Sequence, residues 1–274
     1  MVELEDFHED ILRKAMHGLG IGKSEMASLI KVDQSQIENV LVGGVNEIII
    51  AGMAEILGLS VPRMISSARK DWSPAPVEIQ GMKRFNTPFG SMCVNSYLIW
   101  DSAIMKAWIF DTGTDAKPIL DFLEIEKLSL DAIFLTHTHG DHIACLEEIR
   151  QKTLNPPVFV HELESISGAE SIKEGFKQEL GLLNLQALHT HGHSIGGTTY
   201  FVNGLANPLA IVGDALFAGS MGGGMVSYQD ALLTNRDKIM TLSDETIVCP
   251  GHGPVTTIEG EKRYNPFFPE FIDT

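Results

Sequence analysis

The stretch Thr136-His137-Thr138-His139-Gly140-Asp141-His142 sets three imidazoles and a carboxylate within six residues. Neutral imidazole and carboxylate are ligands suited to zinc, iron and manganese. The apolar run 132–136 just ahead of them reads as a buried strand. His137 and His139 then project the same way from a tight turn. A helix starting near Asp141 directs Asp141 and His142 elsewhere, so one turn can feed two neighbouring metal positions. A surface loop that merely happens to be His-rich is a poor alternative for ligands that follow an apolar strand in an acidic protein.

Three more pieces share that setting, the exit of a strand into a glycine-containing loop. They are His193 in His191-Gly192-His193-Ser194, Asp214 in Val212-Gly213-Asp214, and His252 in Cys249-Pro250-Gly251-His252-Gly253. Strand exits bring residues distant in sequence to one edge of a sheet. His189 and His191 flank His193 and are weaker candidates for a supporting or substrate role. His161, at a strand end, reads as structural, and Cys145 and Cys249 read as small buried apolar residues.

Two kinds of sequence carry these pieces. Before residue 73 the pattern is helical, with segments at 5–17, 24–30, 34–42, 46–57 and 62–70 separated by glycines and short polar turns. Two prolines in Ser73-Pro74-Ala75-Pro76 mark an extended linker. Beyond it, β-like runs at 77–85, 95–100, 105–111, 132–136, 158–161, 185–190, 198–202, 209–212 and 246–249 alternate with helical stretches at 117–125, 143–152 and 230–242. Residues 164–179 read as a polar helix or loop. The expected division is a helical domain over 1–72, a linker over 73–76 and an α/β domain over 77–274.

Composition narrows the function classes. The chain has 274 residues, 44% of them hydrophobic, with a net charge of −16. It has no run of 18 apolar residues, which argues against a membrane span. Its acidic start lacks the features of a signal peptide, so the expectation is a cytoplasmic protein. Three widely spaced cysteines without a CxxC pair build neither a disulfide framework nor a cysteine-rich zinc site. Residues 1–75 hold seven Lys/Arg against eleven Asp/Glu, and the rest is more acidic still. Nucleic acid is therefore disfavoured as a partner.

Residues 24–40 resemble the repressor-type helix-turn-helix family. Ala27 is the small residue where the helices cross, Val32, Ile37 and Val40 are the apolar positions, and Lys31 stands where that family usually has glycine. The second helix offers Gln34, Ser35, Gln36, Glu38 and Asn39 but no cation to anchor a phosphate. Residues 77–274 resemble the metallo-β-lactamase superfamily in the series His-x-His-x-Asp-His, Gly-His-Ser, Gly-Asp and Gly-His-Gly. The resemblance implies an αββα sandwich preceded here by the small helical bundle. It implies one metal held by His137, His139 and His193, another by Asp141, His142 and His252, and Asp214 bridging both.

Gly213-Asp214-Ala215-Leu216-Phe217-Ala218-Gly219 is similar to the Gly-Asp-x-Leu-Phe-x-Gly stretch of glyoxalase II-like proteins, as is the region after Cys249. Asp214 also stands where lactamases with a cysteine-ligated second metal carry that cysteine. Where the glyoxalase group continues Gly-Arg-Thr-Asp, this chain has Met221-Gly222-Gly223-Gly224-Met225, which removes a cation and points away from a glutathione thioester. Four glycines in 219–225 suggest a mobile gate.

The expectation is an enzyme, a hydroxyacylglutathione hydrolase-like hydrolase using two divalent metal ions (zinc, iron or manganese). Asp141 and Asp214 are its catalytic carboxylates, its substrate is a small thioester or ester/lactone, and a homo-oligomer is compatible with the sequence. Two alternatives are a mononuclear iron oxygenase of the persulfide dioxygenase type, using His137, His193 and Asp214, and a transcription regulator carrying a metal domain.

Overall fold

The computed structural model describes residues 3–271. Five helices come first: α1 (His8–Leu19), α2 (Lys23–Ile30), α3 (Gln34–Val40), α4 (Glu47–Leu57) and α5 (Val61–Arg69). Gly20 and Gly58 end α1 and α4 in the left-handed conformation, and Asn46 caps α4 by accepting from the Ile49 amide. α2 and α3 are joined by the three residues 31–33, and the polar face of α3 is exposed.

A first sheet follows, in chain order: β1 (Met82–Phe89), β2 (Met92–Asp101), β3 (Lys106–Phe110), β4 (Ser129–Phe134), β5 (Val158–His161) and β6 (Glu170–Ile172). It is antiparallel from β1 to β3 and parallel from β3 to β6. Helices α6 (Lys117–Glu126), α7 (Gly140–Ile143) and α8 (Leu146–Lys152) sit in its crossovers. The second sheet is built from β7 (Lys177–Leu180), β8 (Leu183–His189), β9 (Thr198–Asn203) and β10 (Leu209–Gly213). After the small hairpin β11 (Leu216–Phe217) and β12 (Ser220–Met221) it is completed by β13 (Ile247–Pro250) and β14 (Thr256–Thr257). Helix α9 (Tyr228–Thr234) runs into a π-turn over Asn235–Ile239, and α10 (Ile258–Tyr264) closes the chain.

The segment 164–179 therefore differs from its sequence reading: its short strands β6 and β7 are the edge strands of the two sheets. Their side chains are largely polar because edges are exposed. The helix expected over 143–152 is split by Ala144-Cys145, and the first strand begins at Met82 rather than at residue 77.

Strand alternation assigns the layers. Leu209 and Ile211 of β10 join Tyr97, Trp108, Phe134 and Tyr200 in the core between the sheets. Ala210 and Val212 face the opposite way. The outer face of the first sheet is covered by Ile119 and Leu123 of α6 and by Leu146 and Ile149 of α8. The outer face of the second sheet belongs to one apolar cluster with Ile11, Leu12, Ile50, Met53 and Met64 of the N-terminal helices and with Phe267 and Phe268. The boundary at 73–76 thus separates two kinds of sequence, but the packing crosses it. Arg63 of α5 reinforces that crossing by donating to the carbonyls of Lys262, Asn265, Phe268 and Phe271. Among the described residues no helix is long and apolar enough to cross a membrane.

Candidate metal centre

The C-terminal ends of β3, β4, β8, β10 and β13 meet at one edge of the sandwich. Two buried phenols fix the backbone just before the ligand loops. Tyr200 donates to the carbonyl of Leu135 and Tyr97 to that of Pro250, each at 2.8 Å. Buried hydroxyls need such partners, and here they hold the chain entering His137 and His252.

All seven residues singled out from the sequence converge. Ligand atoms of His137, His139, His193 and Asp214 lie within 4.8 Å of one another, and so do those of Asp141, His142 and His252. Asp214 reaches both groups: its Oδ2 is 3.4 Å from His193 Nε2 and 3.4 Å from His252 Nε2, and its Oδ1 is 3.3 Å from His142 Nε2. Gly251 makes this approach feasible, since a Cβ there would lie 2.2 Å from Asp214 Oδ1.

The outer ring atoms show which way the lone pairs point. His193 Nδ1 donates to the Gly223 carbonyl at 2.9 Å and His252 Nδ1 to the Cys93 carbonyl at 2.7 Å. His142 Nδ1 donates to Asp111 Oδ2 at 2.8 Å. Thr136 Oγ1 gives its own proton to Asp111 Oδ2, so it accepts from His137 Nδ1 at 3.0 Å. Four imidazoles thereby carry a proton on the outside and turn Nε2 inward, as ligating histidines do. Inside, His137 Nε2 and His193 Nε2 lie 3.0 and 3.1 Å from His139 Nδ1, and His142 Nε2 and Asp214 Oδ1 are buried without a hydrogen-bond partner. Imidazole nitrogens and carboxylate oxygens buried this close together need positive charge between them, a proton or a metal ion. The donor set fits a pair of divalent metals.

The electrostatics agree. Burial, with His142 adding to it, holds His137 well below the ordinary imidazole range, and burial also lowers His193. Both are neutral, as ligands must be. Burial alone would lower His142 and His252 too, but the carboxylates around them win. Asp214 and Asp111 lift His142 to about 10, and Asp141 and Asp214 lift His252 to about 11. The same two imidazoles hold Asp214 well below the usual carboxylate range in spite of its burial. These carboxylates thus draw positive charge onto the inward Nε2 of His142 and His252, a proton that a divalent cation would displace.

Several residues that serve the site were not singled out from the sequence. Asp111 follows β3 and joins both triads, directly through His142 and through Thr136 to His137. It stands before Thr-Gly at a strand exit, the same signal that marks Asp214. Glu164 accepts from Thr138 Oγ1, from Ser194 Oγ and, at 2.9 Å, from the Gly196 amide, tying the two histidine loops together. Nothing in its sequence context marks it. His161, His189 and His191 form a separate stack, with ring centroids 4.0 and 4.5 Å apart, and do not join the seven.

The glycine-rich stretch is also not a free flap. Ser220 and Met221 are buried in the hairpin, and a Cβ on Gly222 would fall 1.7 Å from the Asp214 carbonyl. Glycine is needed there for close approach, and the next carbonyl holds His193.

Residues 93–252 match the family model described as the metallo-beta-lactamase superfamily. The chain belongs to this superfamily. A probable metallo-hydrolase, YqgX of Bacillus subtilis, is 35% identical over 218 residues, 69% of this chain and 99% of that protein. The hydroxyacylglutathione hydrolase GloC of Haemophilus influenzae is 29% identical over 198 residues, 63% of this chain and 92% of that one. Among solved structures, the B3 metallo-beta-lactamase BLEG-1 superposes with a TM-score of 0.58 at 29% identity, covering 68% of this chain and 98% of its own. TTHA1623 in a di-iron-bound form superposes with a TM-score of 0.55 at 28% identity, covering 67% and 99%. As a metallo-beta-lactamase superfamily member with hydrolase relatives, the chain is of a metal-dependent hydrolase family. Helices α1 to α5 precede the residues that match the family model.

Proposed function

We propose that the protein hydrolyses a small thioester or ester at a two-metal centre. One metal would be held by His137, His139 and His193 and the other by Asp141, His142 and His252. The observation that carries the reading is Asp214, whose two oxygens reach both groups. When bound, such a pair polarises a carbonyl and acidifies water. The chain's own part is to place and orient. Asp214 keeps the two positions a few Å apart. Asp141 turns Oδ2 toward His252 Nε2 at 3.3 Å and His142 Nε2 at 3.7 Å, so its carboxylate would help hold the second metal and would be close enough to orient the proton of an attacking water. Ser194 donates to Glu164 and Ser220 to Asp6, so neither of these two serines is set against a histidine base.

GloC supports a thioester as the substrate class, while Met221-Gly222-Gly223-Gly224-Met225 itself carries no cation for a glutathione carboxylate. The reading is tested by metal analysis of anaerobically purified protein, followed by thiol release from a thioester panel. The expected result is two metals per chain, turnover of thioesters, poorer use of S-lactoylglutathione, and a His252→Ala variant that keeps one metal and loses at least ~100-fold in rate. One iron per chain, oxygen uptake and an active His252→Ala variant would overturn it.

A further inference from the structure

Although the family match begins at residue 93, the first described residues run along one wall of the metal centre. The position a Cβ would take on Gly253, next to His252, is 3.2 Å from the Glu5 amide nitrogen and 3.3 Å from Glu5 Cβ. The segment is pinned there. Ser220 Oγ donates to Asp6 Oδ2 at 2.6 Å. Lys14 Nζ pairs with the same oxygen and donates to the Met221 carbonyl at 2.9 Å. Lys14 also lies 4.9 Å from the centre of the Phe217 ring, which meets His252 edge-on at 5.7 Å. Asp6 and Ser220 are both buried.

Asp6 therefore takes up the charge of Lys14, and the neighbouring Glu5 is left over. Glu5 is half-buried, within electrostatic reach of His252, Asp6, Lys14 and Asp214, and its carboxylate has no hydrogen bond or ion pair among the described residues. A carboxylate with no structural partner, held beside a reactive centre by a buried latch, is placed to meet what enters.

We propose that Glu5 is a specificity-determining residue: it favours substrates that carry a cationic group near the scissile bond and disfavours anionic ones. This rests on the thioester or ester reading above. A merely structural Glu5, or one that only supports the field of the metals, would affect all substrates alike.

The test uses full-length, zinc-reconstituted protein at pH 8 and three acetyl thioesters. These are acetylthiocholine (cationic), S-acetyl-2-mercaptoethanol (neutral) and S-acetyl-3-mercaptopropionate (anionic). The wild type should prefer the cation. Glu5→Gln should lower the cation-to-anion ratio of kcat/KM by about tenfold, the effect of one partly screened charge, and leave the neutral substrate within about threefold. Glu5→Lys should reverse the preference. An unchanged ratio, or an equal fall for all three, overturns the proposal. If the wild type cleaves none of them, it is the hydrolase reading that fails. Glu5 is then read from calorimetric binding of thiocholine against 3-mercaptopropionate, where the same tenfold shift supports the proposal and an unchanged ratio overturns it.

Discussion

Asp111→Asn is the substitution that most directly probes how the two halves of the centre are coupled. Asp111 is buried, and its Oδ2 accepts at 2.8 Å from both His142 Nδ1 and Thr136 Oγ1, while Oδ1 accepts from the Thr136 amide at 2.8 Å. Its φ is +55°, a region that Asn tolerates as well as Asp, so the backbone stays and the charge goes. Hydrogen bonds to a charged partner contribute about 1.5–3 kcal/mol. The amide has one acceptor oxygen to offer where the carboxylate has two. Metal affinity should fall by ~10–100-fold, at both positions, because His137 is reached through Thr136. Thr136→Val removes only that link and should weaken the His137/His139/His193 position alone. Competition against a chromophoric chelator, with metal counted per chain, reads both effects. Asp111→Asn with both affinities within about threefold of wild type would refute the coupling. So would Thr136→Val acting mainly on the Asp141/His142/His252 position.

Gly222→Ala would push a methyl group into the Asp214 carbonyl, and thermal melts should show ~3 kcal/mol of destabilisation with weaker metal binding; an unchanged melt would contradict the close-packed hairpin. Glu261 is fully buried, and burial lifts it to about 7 from an ordinary 4.5. Its native form keeps the proton longer than the unfolded chain does, so its stabilising share is full below pH 4.5 and is lost as pH rises to 7, by ~3 kcal/mol. Urea melts of Glu261→Gln should therefore lose that slope, and a slope equal to wild type would rule the assignment out. A chain beginning at Ser73 should precipitate or bind hydrophobic dyes, because Val212, Leu216, Met221 and Phe268 lose their cover. A soluble, metal-binding product would show that the shared core is dispensable.

The candidate ligands were legible because their pattern is local. His137, His139, Asp141 and His142 come from a single turn, and His193, Asp214 and His252 each follow an apolar strand. The helices were legible from glycine stops such as Gly20 and Gly58. Asp111 and Glu164 were not singled out, because their partners lie 25–32 residues away and only the register of β3 beside β4 and the path of the 162–169 loop bring them in. Strands β6 and β7 escaped detection because exposed edge strands lack an alternating apolar signal. Gly222 was misjudged for a related reason: a sequence shows that a residue lacks a side chain, not what occupies the space it leaves.

The Arg63 clasp has a consequence for the order in which the molecule assembles. Its four carbonyl partners lie 199 to 208 residues downstream. During synthesis at roughly 5–20 residues per second, the leading helices leave the ribosome long before Phe267 and Phe268 exist to cover them. They can form individually from their own caps and glycine stops, yet their joint apolar surface stays open until the chain has nearly doubled back on itself. Contacts of such sequence separation slow folding, and the waiting surface is what a chaperone would grasp. The segment of Glu5 that lies against Gly253 is thus made long before the residues that set it in place.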